Sequence, residues 1–581
     1  MGRMPSPKKI PWVKGNGQRK DLTTFGVPFP VDGLSSEEVD VLCELQQSVG
    51  AITPIFALQN DPRTFAVLGA LKQLEAQVPD SQKQAIQNYI TQFEIMGGPF
   101  DSAGDSYILQ VDHSTIPSNH PIMAFRDFIF DGKKAPKGRG FYSEDLGKKQ
   151  FNQLGSGKNI VNSTVMRRNG KLEVVLNEER FDREVAPVIH HLRRAALKTG
   201  DENLRKYLLA QVTHLEFGSE STKTKADLAW LENSGKVDFI FSTGLETYED
   251  RAFGVRGTAQ GMVGILDPSY DETLRTHLRL LPQWERTAPW KHRKEANPPR
   301  IRPISVLNES GSYYMFPMIV SAESLPNEKV FTDKHGGVNH LLINVTKARS
   351  KSPAVAAMRS EFMAKDELKK YGGLMPDIGM TMILDHEIGH TTSDKTIKED
   401  PNKFWGKNYS LLEEARAELF SMWALKSLVD ERAISKDQEV AGYYSMLIGC
   451  IAGLQMPAID HAGSRNMMFH YFIKTGAVKE VTEDSKTKYV VDEIKMRGSV
   501  EKMLGEIADI EGTGNRRAFD KFRSEYLSDQ KREYFAGRMK EFPLGLGPIF
   551  GTLQHDGKII YPGSFREQPR IQLLEQMAEA A

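Results

Sequence analysis

Met380-Thr-Met-Ile-Leu-Asp-His386-Glu387-Ile-Gly-His390, followed by Leu411-Leu-Glu413-Glu414-Ala-Arg416-Ala-Glu418, is the stretch from which the rest of the chain can be read. The first part is an H-E-x-x-H pattern. Histidines four apart on a helix share one face, so both imidazoles can reach one metal while Glu387 addresses a water beside it. Imidazole and carboxylate donors around one open position suit catalytic zinc, which needs a third protein ligand. The apolar lead Met380, Met382, Ile383 and Leu384 describes a buried helix, where two histidines and a glutamate are costly unless something binds them.

The second part holds candidates for that third ligand. Residues 411–429 read as an amphipathic helix, with Leu412, Ala415, Leu419, Met422 and Trp423 at helical spacing. Its three glutamates sit in the first turns, where the helix dipole favours carboxylates. In isolation they would read as a solvated acidic face; a short way after His390 they read as the source of a ligand.

Composition bounds the function. Lys+Arg and Asp+Glu balance at 76 each, which argues against nucleic acid or an anionic membrane as partner. The hydrophobic 40% and charged 26% are those of a soluble globular protein of several domains or two large lobes. Two distant cysteines, Cys43 and Cys450, make no disulfide framework and point to a reducing compartment, the cytoplasm. The N-terminus is basic and Pro-punctuated, unlike a secretory signal, and no apolar run reads as long enough to cross a membrane.

Along the chain, 1–34 reads as an extended arm. Ser35-Ser-Glu-Glu opens a helix by the capping-box pattern, and 35–95 read as three amphipathic helices. Residues 97–157 read as short strands and loops, including 122–130. Helix returns over 180–214, where adjacent His190 and His191 diverge by about 100° and are read as structural. Strands joined by tight turns are expected over 236–267, a Pro- and Trp-bearing linker over 282–303, then strands to about 345. From there to about 545 the chain reads as mostly helical, broken by a charged turn at 480–490.

Four separated blocks resemble the dipeptidyl peptidase III family of zinc metallopeptidases. They are Gly244-Leu-Glu246-Thr-Tyr248-Glu-Asp250 with Gly254-Val-Arg256-Gly257; Leu325-Pro326-Asn327; the H-E motif with Glu413-Glu414-Ala-Arg416-Ala-Glu418; and His461-Ala-Gly-Ser-Arg465. The resemblance covers about 186–480. It implies one zinc ion held by His386, His390 and Glu414, with Glu387 as general base. It further implies that Glu246 and Asn327 hold the peptide amino terminus, that Tyr248 and His461 stabilise the oxyanion, and that Arg465 faces the substrate. Glu413 and Glu418 would orient the imidazoles from behind. The implied fold is α+β, with two lobes around a wide cleft: a mostly helical zinc-bearing lobe and one built on a small β-barrel with flanking helices. On this chain the expected division is an arm at 1–34, the barrel lobe at 35–265 and 300–345, the helical lobe at 266–299 and 346–560, and a tail at 561–581.

Two departures stand out. Most of the family has one more residue between the zinc histidines, whereas the five-residue form here belongs to a minority branch. Lys329 stands where the family typically has an aspartate. The expected activity is removal of dipeptides from short peptides, with no nucleic-acid or membrane partner. The rivals are a zinc hydrolase of a non-peptide amide or ester and a peptide-binding protein with weak turnover, the latter disfavoured by the presence of Glu387.

Overall fold

The computed structural model describes residues 4–5, 9–14, 19–101, 104–154, 161–246, 252–290, 299–314, 320–326, 329–392, 404–456, 458, 460–540, 542 and 547–580. The fold is mixed α+β and organised on two large hydrophobic cores. The first gathers the helices between Ser36 and Met96, those between Asp182 and Phe217, and a five-stranded sheet. The second is built from helices between Asp271 and Arg538 and holds the H-E motif.

Helix formation begins as the capping box predicts. Ser35 Oγ accepts the Glu38 amide at 3.1 Å, and Glu38 Oε2 accepts the Ser35 amide at 2.7 Å. Four helices follow where three were expected: Ser36–Gly50, Thr53–Asn60, Thr64–Gln77 and Asp80–Met96. Ser36–Asn60 does reach the length and hydropathy of a membrane span, contrary to the reading above, but 83% of its apolar window is buried in the first core. His191 pairs at 2.9 Å with the buried Glu44, which also takes Arg194 and Lys198, so that histidine is committed to packing one helix on another.

The sheet runs in the order Val237–Glu246, Thr258–Leu266, Ile301–Gly311, Val338–Leu342, Ala322–Leu325. Only the pairing of Ile301–Gly311 with Val338–Leu342 is parallel. Register shifts after Ser242 and at Val263/Gly264 curl it, as bulges do by adding local twist. At Gly264 the backbones are so close that a Cβ would stand 2.5 Å from the Ser305 carbonyl oxygen. The result is a curled half-barrel: Val237–Glu246 and Ala322–Leu325 end the sheet on opposite sides and do not pair, so the closed barrel is replaced by an open one.

Other expectations are corrected where long-range packing overrides local pattern. Residues 122–130 form a 3₁₀ turn, Pro121–Phe125, and a short helix, Arg126–Ile129, in place of a strand. The linker begins later than expected, because the Asp271–Thr287 helix continues through Pro282. The charged turn is the tip of a hairpin, Val478–Glu483 with Lys486–Val491, whose Asp484 and Ser485 take positive φ.

The two ends of the chain are neither arm nor tail where they are described. Arg19–Val27 pairs in parallel with Gly547–Phe550, and Pro569–Ala580 is a helix. Phe25, Val27, Ile549, Phe550, Ile571 and Leu574 are buried in the first core, so the segment from 547 onward packs with the N-terminal half instead of closing the helical one.

Candidate metal centre

The motif lies on the Met375–Thr391 helix, which runs unbroken through His386 and His390. Met375, Ile378, Met380, Met382, Leu384 and Ile388 bury its apolar side. Beside it packs the Tyr409–Asp430 helix with the three glutamates. Gly389 makes the approach close: a Cβ there would meet Ala417 Cα at 3.1 Å and Phe420 Cβ at 3.3 Å. Arg416, almost wholly buried, locks the pair of helices. Its Nη1 donates to the carbonyl oxygens of Gly389 and Thr392 at the end of the motif helix, and its Nε donates to Glu511 Oε2 at 2.7 Å. The cation thus satisfies carbonyls that a helix C-terminus leaves without intrahelical partners.

This packing brings the predicted ligands together. His386 Nε2 and His390 Nε2 are 2.9 Å apart, and His386 Nε2 is 3.4 Å from Glu414 Oε2. For metal-to-ligand bonds of about 2.0–2.2 Å, the edge of a tetrahedron is about 3.3–3.6 Å, so these atoms stand at or slightly inside coordination spacing. Donor atoms cluster here in three overlapping groups: His386, Glu387 and His390; His386, Glu414 and His461; His390, Glu413 and Glu414. His386, His390 and Glu414 each belong to two of them, so one centre is shared. Glu414 Oε2 is buried and accepts no properly directed hydrogen bond, although His461 Nδ1 lies 2.9 Å away. With His386 Nε2 at 3.4 Å as well, this buried carboxylate oxygen faces two imidazoles, an arrangement into which a cation fits as their common partner.

Charge points the same way. His390 Nδ1 is bonded to Glu413, leaving Nε2 as the free donor atom. Against the desolvation that opposes it, this bond and the surrounding carboxylates raise His390 to about 9. Against partial desolvation of its ring, His461 is raised to about 10 by Glu414 and Glu418, which it faces. Glu414 is held well below the usual carboxylate range by His386 and His461, which overcome its burial. The carboxylates of the site thus favour positive charge on the two histidines and are themselves held ionised.

Glu387 is buried beside the two imidazoles, and its Oε2 accepts a hydrogen bond from Asn339 Nδ2 at 3.1 Å. Asn339 and Arg416 were given no role from the sequence. Nothing in local periodicity marks Asn339, which lies 48 positions before its partner. Glu418 departs from its expected role: its Oε1 takes Arg465 Nε at 2.8 Å and Nη2 at 2.6 Å, while His461 Nδ1 is 3.8 Å away. It anchors an arginine, and Glu413 alone, among the described contacts, bonds the Nδ1 of a candidate ligand imidazole. Arg465 remains 35% exposed and His461 52%, so both keep a face open beyond the metal centre. Glu246 ends its strand opposite Thr258. Its side chain and that of Lys329, together with Tyr248 and Asn327 entirely, lie outside the described residues.

Residues 152–425 match the model of peptidase family M49. That span takes in the sheet, the H-E motif and the three glutamates, and ends before His461. The chain is 27% identical over 315 residues to "Nudix hydrolase 3" of Arabidopsis thaliana, a match covering 52% of this chain and 39% of that protein's length. The fold is shared with DPP III from Caldithrix abyssi at a TM-score of 0.76 and 18% identity, over 91% of this chain and 97% of the other. It is shared also with dipeptidyl-peptidase III from Corallococcus sp. strain EGB, at 0.70 and 19%, over 95% and 96%.

Proposed function

We propose that this chain, a metallopeptidase of family M49, is a zinc-dependent exopeptidase that releases dipeptides from the amino terminus of short peptides. The observation that carries the reading is the meeting of His386, His390 and a buried Glu414 oxygen at coordination spacing, with a buried carboxylate, Glu387, beside them. In this reading the two cores are lobes flanking the substrate, with the curled sheet on one and the metal on the other. A cytoplasmic setting is part of the proposal and is supported by Cys43 and Cys450, both buried free thiols.

Zinc, when held by His386, His390 and Glu414, supplies Lewis acidity and lowers the pKa of a bound water. Glu387 takes the proton of the attacking water and passes it to the leaving amine. Glu413 keeps the proton of His390 on Nδ1. His461 donates to the oxyanion, the role that the family resemblance gives it together with Tyr248, and a task in which loss of one donor costs about 100- to 1,000-fold in rate. Glu246 and Asn327 bind the ammonium of the substrate, the roles that the family resemblance gives them. Arg465, steadied by Glu418, contacts the peptide beyond the scissile bond.

A defined peptide library read by mass spectrometry, with metal analysis on the same samples, tests this. Release of N-terminal dipeptides that stops on chelation and returns with zinc is expected. Glu414→Ala should lose most of the metal, whereas Glu387→Ala should keep it and lose turnover by about 100- to 10,000-fold. Unchanged metal content in His390→Ala would mean that the site is misassigned.

A further inference from the structure

Asn339 is the one polar side chain that the sheet presents to Glu387 among the described contacts. A carboxylate in the base form has only acceptors, so the amide must offer Nδ2 and turn its Oδ1 away. That commits Glu387 Oε2 and leaves Oε1 for the water. We infer that Asn339 is a positioning residue for the general base, holding Glu387 in the one rotamer that serves the reaction. The inference rests on the proposed peptidase reading and deepens it.

What makes Asn339 suited to this is the strand beneath it. Val338–Leu342 is paired on both sides, Asn339 standing between Ile301 and Ser324. Its backbone N–H also donates to the Arg300 carbonyl oxygen at 2.8 Å. The next residue, His340, points to the opposite face and is wholly buried. There its Nε2 lies 3.2 Å from Asp238 Oδ2, and its Nδ1 lies 3.7 Å from Glu323 Oε1. Arg302 closes the cluster on Asp238 at 3.0 Å. A one-residue slip of the strand would turn Asn339 into this cluster and His340 out of it, so register is held by four titratable side chains from four strands. The same strand joins the two cores, with Val338 and Leu342 in the first and Leu341 in the second. The base is therefore aligned from the sheet, while the metal ligands are aligned by the two helices. Glu387 sits where the two frames meet.

The test separates donation from packing. Asn339→Asp keeps the shape and removes the donor; Asn339→Ala removes both. Zinc-loaded wild-type and variant proteins are assayed on the peptide library for cleavage of any bond, with zinc content, thermal unfolding and affinity for a non-hydrolysable peptide measured alongside. We expect both variants to keep one zinc and wild-type peptide affinity while kcat falls about 10- to 100-fold, with Asn339→Asp no better than Asn339→Ala. In a Glu387→Ala background, Asn339→Ala should cost nothing further, because the group it positions is gone. Wild-type kcat in Asn339→Asp, or an undiminished loss in the Glu387→Ala background, overturns the inference while leaving dipeptide release intact. Cleavage at other bonds, with the Asn339 pattern retained, overturns the dipeptidyl reading alone. No hydrolysis by zinc-loaded wild-type protein overturns both.

Discussion

Stripping the metal should make the stability of this protein fall as pH rises from neutral to alkaline. In the metal-free chain His390 is held at about 9 by Glu413 and the carboxylates around it, against an ordinary value of 6.5. A folded-state value above the unfolded one stabilises fully below about 6.5 and is lost as pH climbs through about 9. At about 1.4 kcal/mol per pH unit, that interval amounts to about 3 kcal/mol of folding free energy. His461, raised to about 10, adds to the loss in the same direction, discounted because half its side chain faces solvent. The lowered values of Glu413, Glu414 and Glu418 oppose this trend only at acid pH, since a depressed carboxylate loses its contribution as pH falls below about 4.5. In the proposed zinc-loaded form the ion stands in place of the protons, so that form should lack the decline. The assay is urea unfolding of chelated and zinc-loaded samples between pH 6 and 10, with Glu413→Gln alongside. The decline should be present in the chelated wild type, largely absent with zinc, and reduced in Glu413→Gln. Equal stability of the chelated wild type at pH 6.5 and 9 would refute the account of the site's charge.

Three further outcomes follow from the packing and the sequence. Arg416→Ala leaves buried Glu511 and two helix-end carbonyls without their cation; a loss of about 3–5 kcal/mol in chemical unfolding, with weakened metal retention, is expected. Gly389→Val puts side-chain atoms where a Cβ already meets Ala417 Cα at 3.1 Å, and should cost about 1–3 kcal/mol and lower zinc affinity in a competition titration with a chelator, by prising the ligand helices apart. Lys329→Asp should improve hydrolysis of dipeptidyl chromogenic substrates through a lower KM, since it removes a like charge from the segment proposed to receive the ammonium; robust wild-type release unaffected by the substitution would place Lys329 outside recognition.

The family resemblance and the candidate metal centre were legible because their signals are short-range. His386, Glu387 and His390 are ordered by one helix, and the glutamates by the next, so spacing within each helix places the donors before any tertiary contact forms. The Ser35 capping box was legible for the same reason. Glu418 was assigned to an imidazole because its own helix makes that reach possible, yet Arg465, 47 positions away, takes its carboxylate. Asn339 and Glu387 meet only once the sheet packs on the motif helix, and Arg302, Asp238, Glu323 and His340 only once four strands are in register. The pairing of Arg19–Val27 with Gly547–Phe550 joins opposite ends of the chain, a contact that no local period encodes. The sequence by itself determined which helices carry the candidate ligands and which residue types they present, since helical periodicity is a property of the backbone. Only the tertiary structure decided which partner each charge takes, how far the sheet closes and what steadies the base, because those depend on competition among buried groups brought together from distant parts of the chain.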